Sequence, residues 1–385
     1  MPDDRLFGPT FTTAEVAAAV ADEAWLGAML QFEAALARAE ARAGLIPAAA
    51  AEAIASACAA GGLDITSLGR QAPASGTPVV PLLEALRARL PESARAHLHR
   101  GATSQDVLDT AMMLVARRGL ELLAADLAGV AAAAAALARK HRATVMPART
   151  LLQQALPTTF ALKAAGWLVV VLEAADRLEA YRGTRLAVQL GGPAGTLSGL
   201  GEQALAVRRE LAAELALHEP LLPWHTARAR VAELGAVLAL AAGSVAKIAL
   251  DVVLLAQTEV AEVSEPAAPG RGASSAMPHK RNPALSVAVL AAARGVQAQA
   301  GLLLGNLVQA HERAAGEWQA EWAAVSEAFR LTGGAVARTR EVLEGLEVHG
   351  DRMLANLRVE GSIGSAEALV DLALADYERR LNVHE

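Results

Sequence analysis

The sequence predicts an all-α protein built around a long helical bundle with small flanking helical domains. Three observations carry that expectation. Hydrophobic residues make up 54% of the chain but aromatic ones only 3%, so the apolar content is mostly Ala, Leu and Val. Alanine and leucine are strong helix formers that suit closely packed helices. Apolar runs longer than about 25 residues recur through the second half, which is too long for ordinary surface helices. Breakers such as Gly272, Pro278 and Pro283 fall between those runs rather than inside them.

The elements follow in order. Residues 14–44 read as a first amphipathic helix, with Val16, Val20, Trp25, Met29, Phe32 and Leu36 at helical spacing and Gly44 and Pro47 as its stop. Gly61-Gly62 and the stretch Pro73 to Pro81 are breaks, and a short helix over 82–90 ends at Pro91. Longer helices are expected over 106–142, 157–182, 202–217, 226–263, 284–314 and 318–346. The run Leu168 to Leu172 could be a buried strand, but it lies in a breaker-free stretch where helix is the better reading. The Ala131–Ala136 run suits tight helix packing, and there is no internal repeat. The expected division is a helical domain at 1–103, the bundle at 104–345 and a short helical segment at 346–385. Helices apolar on several faces are expected to bury part of that surface against other subunits.

With 385 residues and 39.7 kDa the chain can bury a large core. A net charge of −6 and a pI near 5.9 give no reason to expect nucleic acid or an anionic membrane as partner. Cys58 stands alone, which excludes an intrachain disulfide and a cysteine-based zinc site. The start of the chain lacks the basic-then-apolar pattern of a signal peptide, and no uncharged stretch of about 18 apolar residues is expected to span a membrane. A cytoplasmic location is the expectation.

The richest chemistry lies in the loop from Gly272 to Pro283, which holds Ser274, Ser275, Lys280 and Asn282. A hydroxyl beside a cation and amide donors suits proton transfer at a carbon next to a carboxylate, where the developing anion needs stabilising. The competing reading is a plain helix connection. Thr103 to Asp106 has the form of a capping box, and a helix start bearing two hydroxyls also suits a carboxylate. Gly191 to Gly195 lacks the preceding strand and following Lys-Ser/Thr of a phosphate loop, so it reads as a turn or a close backbone approach. His97 and His99 are too few for a metal site. His218 and His225, beside a Pro-rich turn, read as structural. Arg313 could hold a carboxylate or pair with a surface acid. Trp318 and Trp322 share a helix face and read as core.

Taken together, three separated segments resemble the fumarase/aspartase superfamily, which includes adenylosuccinate and argininosuccinate lyases. They are His99-x-Gly-Ala-Thr-Ser-Gln-Asp106, Arg149-Thr150 with Gln153, and Ser274 through Asn282. The resemblance covers about residues 1–360. Leu222 to Thr226, Gln257 to Val263 and Glu312 to Trp322 are most similar to its bacterial 3-carboxy-cis,cis-muconate cycloisomerase branch. It implies an all-α homotetramer with active sites shared between subunits, a small tricarboxylate substrate, and no metal or organic cofactor. It also implies Ser274 as the catalytic residue, with Lys280, Asn282, Thr103, Ser104, His99, Gln153 and Arg313 binding substrate.

Two departures separate the branches. Lyases of the superfamily carry a histidine after Arg-Thr and a glutamate five residues beyond the signature asparagine; here those positions are Leu151 and Val287. An amine or hydroxide leaving group needs a proton from a general acid, whereas a carboxylate leaves as a stable anion. The resemblance therefore implies lactone formation from a carboxymuconate in protocatechuate catabolism. The alternatives are an adenylosuccinate-lyase-type β-elimination enzyme and a catalytically silent structural protein. Arg5-Leu6 and Gly316 to Trp318 stand where adenylosuccinate lyases carry phosphate-binding residues, which disfavours the first.

Overall fold

A computed structural model describes residues 6–277 and 280–383. Arg5, at the amino-terminal segment, and Pro278 and His279, in the signature loop, lie outside the described residues. The first third carries α1 (Gly8–Phe11), α2 (Ala14–Ala19), α3 (Asp22–Arg42), α4 (Ala48–Ala59), α5 (Ile65–Gln71), α6 (Val79–Arg89) and α7 (Glu92–Arg95). Next come α8 (Ser104–Lys140), the strands β1 (Val145–Thr150) and β2 (Gln153–Thr159), α9 (Phe160–Thr184), α10 (Ala204–Leu215) and α11 (Ala229–Leu255). The chain continues through β3 (Val263–Ser264), α12 (Ala284–Gly305), α13 (Glu317–Glu344), β4 (Glu347–Val348), α14 (Gly350–Asn356) and α15 (Ala366–Val383).

Five long helices make the bundle. α12 packs on α11 and α13, α8 on α9 and α13, and α11 also on α9 and α13. α8, with 37 residues, runs about 55 Å and reaches from the amino-terminal helices through the bundle. Against its foot pack α3 and α6, while α14 lies on β1 and α15 on α9.

The structure corrects several expected boundaries. The helix expected over 14–44 is two, because Ala21 is extended (φ −71°, ψ 166°) and Asp22 and Glu23 open α3 at its positive end. The long run expected to 263 stops at Leu255, where the chain turns into β3, which pairs with β4. The run expected to 314 stops at Gly305, and the Asn306 amide donates to the Glu317 carbonyl across the following loop. The antiparallel β1–β2 hairpin was not foreseen, and α9 starts only after it, capped by the Thr159 hydroxyl.

Three helices, α8, α11 and α12, are long and apolar enough to cross a membrane, contrary to the sequence expectation. Here α11 and α12 pack on each other and α8 on α9 and α13, and 39–44% of each apolar window is buried. Leu240, Leu250, Leu302 and Leu304 remain exposed on this surface.

One polar cluster sits inside the bundle. Arg228 is fully buried; it donates to both Asp109 oxygens at 2.7 and 2.9 Å and also pairs with Glu321. Trp318 Nε1 and Gln189 Nε2 donate to Asp109 at 3.1 Å. Every carboxylate here finds a donor, as a buried charge requires.

Candidate active site

The first turn of α8 forms one part of the site, and Asp106 builds it. Its carboxylate accepts from Thr103 N at 3.0 Å, Gly191 N at 2.9 Å and Gly192 N at 2.9 Å, and lies 2.7 Å from His225 Nε2. A side chain at Gly191 would meet His225 Cε1 at 2.7 Å, so this turn is a close backbone approach to the helix start rather than a phosphate cradle. His225 is structural here, and His218 pairs through its backbone with Leu186 and Val188.

With Asp106 capping the helix, the Thr103 hydroxyl accepts instead from Arg313 Nη1 at 2.9 Å. Arg313 Nη2 reaches the Pro193 carbonyl at 3.3 Å. Thr103 and Ser104 are partly exposed at the positive end of α8, a place that favours an anion. His99 lies four residues before Thr103, with Nδ1 2.6 Å from Glu33 Oε1. Burial would lower the His99 pKa, but the Glu33 carboxylate, with a further push from Asp106, holds it above the ordinary histidine value.

The signature loop forms a second part. Its ends are tied, since Asn282 N and Asn282 Nδ2 both donate to the Gly272 carbonyl at 2.9 and 3.1 Å. Gly272 has φ +67°, and a side chain there would meet Asn282 O at 2.4 Å. Glu265 caps the following helix by accepting from Leu285 N and Ser286 N. Within the loop, Ser274 Oγ accepts from Met277 N at 3.1 Å and Ala276 N at 3.4 Å. Lys280 is exposed. This loop therefore presents a hydroxyl with two amide dipoles aimed at its oxygen.

The hairpin forms the third part. Arg149 donates to both Glu262 oxygens at 2.9 and 2.6 Å, Asn356 donates to Glu262 Oε1 at 2.8 Å, and Gln154 bonds the Asn356 carbonyl. These bonds tie the turn end of the hairpin to α14. Its tip is Leu151-Leu152, both left-handed (φ 51° and 66°) and 96% and 72% exposed. Gln153 follows at the start of β2, exposed. Val287, in the first turn of α12, is 53% exposed.

The structure thus joins Thr103 to Arg313 and places His99 beside that helix start. No hydrogen bond or ion pair among the described residues links this cluster to Ser274, Lys280, Asn282 or Gln153. Sequence reading missed Glu33 and Glu262. Glu33 left a signal, since it adjoins Phe32 within an apolar helix stripe where an unpaired acid is out of place. Glu262 left none beyond its place in the Gln257 to Val263 text.

Long helices in a bundle, with a serine-bearing glycine loop and a hydroxyl-rich helix start, define a lyase of the fumarase/aspartase type. The chain belongs to this superfamily: the family described as lyase matches residues 10–298. It is 46% identical over 382 residues to the 3-carboxy-cis,cis-muconate cycloisomerase of Bradyrhizobium diazoefficiens, covering 98% of this chain and 84% of that protein. It is 48% identical over 370 residues to the nitrosuccinate lyase of Streptomyces davaonensis, covering 93% and 78%. The crystal structure of the 3-carboxy-cis,cis-muconate lactonizing enzyme from Pseudomonas putida superposes with a TM-score of 0.88 at 36% identity, covering 99% of this chain and 89% of that one.

Proposed function

We propose that this chain is a 3-carboxy-cis,cis-muconate cycloisomerase, an intramolecular lyase that closes its substrate into a carboxymuconolactone during protocatechuate degradation. The observation that carries the reading is the pair Leu151 and Val287, apolar at both positions where related lyases hold their acid dyad. In the reverse of lactone closure the departing group is a carboxylate, which leaves as an anion without a proton donor.

In the forward direction one substrate carboxylate attacks the conjugated double bond. Charge builds on the neighbouring carboxylate, where Lys280, one N–H of Asn282 and the loop amides stabilise it. Ser274 delivers a proton to carbon and becomes an alkoxide, which the Ala276 and Met277 N–H groups are already placed to stabilise. Thr103, Ser104, His99, Gln153 and Arg313 hold the remaining carboxylates. No step calls for a metal or organic cofactor.

Among the described residues, no hydrogen bond or ion pair joins the helix-start cluster, the loop and the hairpin tip within a chain. We place the complete pocket where copies of the chain meet, in a cytoplasmic homotetramer. Leu151, Leu152, Leu240 and Leu250, exposed on one copy, support that arrangement.

A second reading is favoured by the 48% identity to a nitrosuccinate lyase. A nitro substituent on a succinate skeleton also departs as a stabilised anion, so the missing dyad fits both substrates. Assaying carboxymuconate and nitrosuccinate side by side separates them, with turnover of carboxymuconate expected to dominate. Ser274→Ala should reduce that turnover by about 10³-fold with the helical circular dichroism unchanged. Retained turnover would remove Ser274 from the mechanism.

A further inference from the structure

We propose that Glu33 is a positioning residue: buried beneath the helix start, it orients the His99 ring and keeps it an imidazolium, leaving Nε2–H as a fixed cationic donor to a substrate carboxylate. This rests on the reading of the substrate as a tricarboxylate and adds a residue to its binding site.

Geometry carries the inference. Glu33, on α3, has a fully buried side chain, and its Oε1 lies 2.6 Å from His99 Nδ1. That separation is typical of a charge-assisted hydrogen bond. Glu33 Oε2 has no partner among the described residues, so the bond to His99 is the carboxylate's only anchor there. His99 is itself held at φ +61°, a left-handed backbone that a non-glycine residue keeps only when its surroundings insist. Donation from Nδ1–H to Glu33 fixes the ring orientation and leaves Nε2 for a ligand.

The charges around the pair favour the same state. Glu40 lies on the same helix, and burial, eased by Arg100 and reinforced by Glu33, pushes its pKa up to about 8. Burial and the Glu33 charge push the Cys58 thiol up to about 12. Both groups are therefore neutral at pH 7. Arg100 bonds the Leu45 carbonyl and Arg38 bonds Glu214, so neither is hydrogen-bonded to Glu33. Arg87 and Asp106 face His99 from α6 and α8 with opposite effects. A buried carboxylate without a cation is strongly unfavourable, and His99 is the group positioned to supply one.

The test is a ring titration of His99 by NMR on ¹³C-histidine-labelled protein, assigned with His99→Gln, combined with KM and kcat on carboxymuconate across pH. The wild-type ring should titrate above the ordinary histidine value, and Glu33→Gln should lower that midpoint. Glu33→Gln should also raise KM about tenfold at pH 7.5 with kcat within about threefold, and Glu33→Asp should restore most of the loss. An unchanged ring titration in Glu33→Gln, or an unchanged KM with only reduced stability, would overturn the proposal. Should Glu33→Gln not fold, a wild-type ring titrating at or below the ordinary value overturns it equally. If the wild-type protein leaves carboxymuconate untouched, the substrate reading fails while the ring titration still decides the Glu33–His99 pairing.

Discussion

Glu40 shows how much a single buried acid can govern. It has no exposed surface, and neither carboxylate oxygen meets a donor among the described residues. Burial raises its pKa from 4.5 to about 8, with Arg100 easing the shift and Glu33 adding to it. Between these two values the folded chain holds a proton that the unfolded chain has released. The resulting stabilisation is complete below pH 4.5 and disappears as the pH rises through 8, a change on the order of 5 kcal/mol. Glu40→Gln keeps the neutral shape without the proton. Urea unfolding at pH 5 and pH 8 should show the wild type losing stability relative to this variant at the higher pH, and parallel behaviour would show that Glu40 does not titrate in that window. Ser274 makes a contrasting case at the same scale: its hydroxyl is not deeply buried, and its environment acts through the aimed dipoles of Ala276 and Met277.

Among the elements, the hairpin of residues 145–159 is the one that sequence periodicity could not reveal. A tight two-residue turn with both residues left-handed is ordinarily marked by Asn-Gly, because those residues tolerate positive φ. Leu151-Leu152 conceals it, at a backbone cost of about 1–2 kcal/mol per residue. The strain makes sense if the leucine side chains are needed at the tip. Replacing the pair with Asn-Gly should therefore leave the hairpin intact but raise KM or weaken assembly, as read by steady-state kinetics and analytical ultracentrifugation. Unaltered kinetics and mass would mean that the tip is only a turn. The long bundle helices, by contrast, were legible as elements, since apolar spacing and breakers report directly on a bundle. Their ends were less legible, because Ala19 and Leu255 close helices with no glycine or proline beside them, and the Gly305-Asn306 stop lies inside an apolar run that reads on past it. The serine loop and helix start were readable as chemistry, whereas Glu33 left only the oddity of an acid in an apolar stripe, and its partner His99 shows only once the chain is folded.

At the scale of the whole molecule, the question for the site is which copy supplies each segment. No hydrogen bond or ion pair among the described residues joins the helix-start cluster to the serine loop. If each pocket draws Ser274 from one copy and Arg313 from another, two inactive variants can repair one another. Ser274→Ala and Arg313→Ala, unfolded together and refolded as a mixture, should recover about one quarter of wild-type activity. Recovery of none would mean that one copy supplies both residues. The Arg228 cluster, its side chains fully buried, ties α8 through Asp109 to α13 through Glu321. Asp106 has a different consequence for anyone wishing to change what the pocket accepts. Because one carboxylate secures a helix, a glycine bend and an imidazole together, libraries that randomise it will mostly yield insoluble clones. New ligand preferences should instead be sought at Gln153 and Val287, where variation can alter selectivity without dismantling the scaffold.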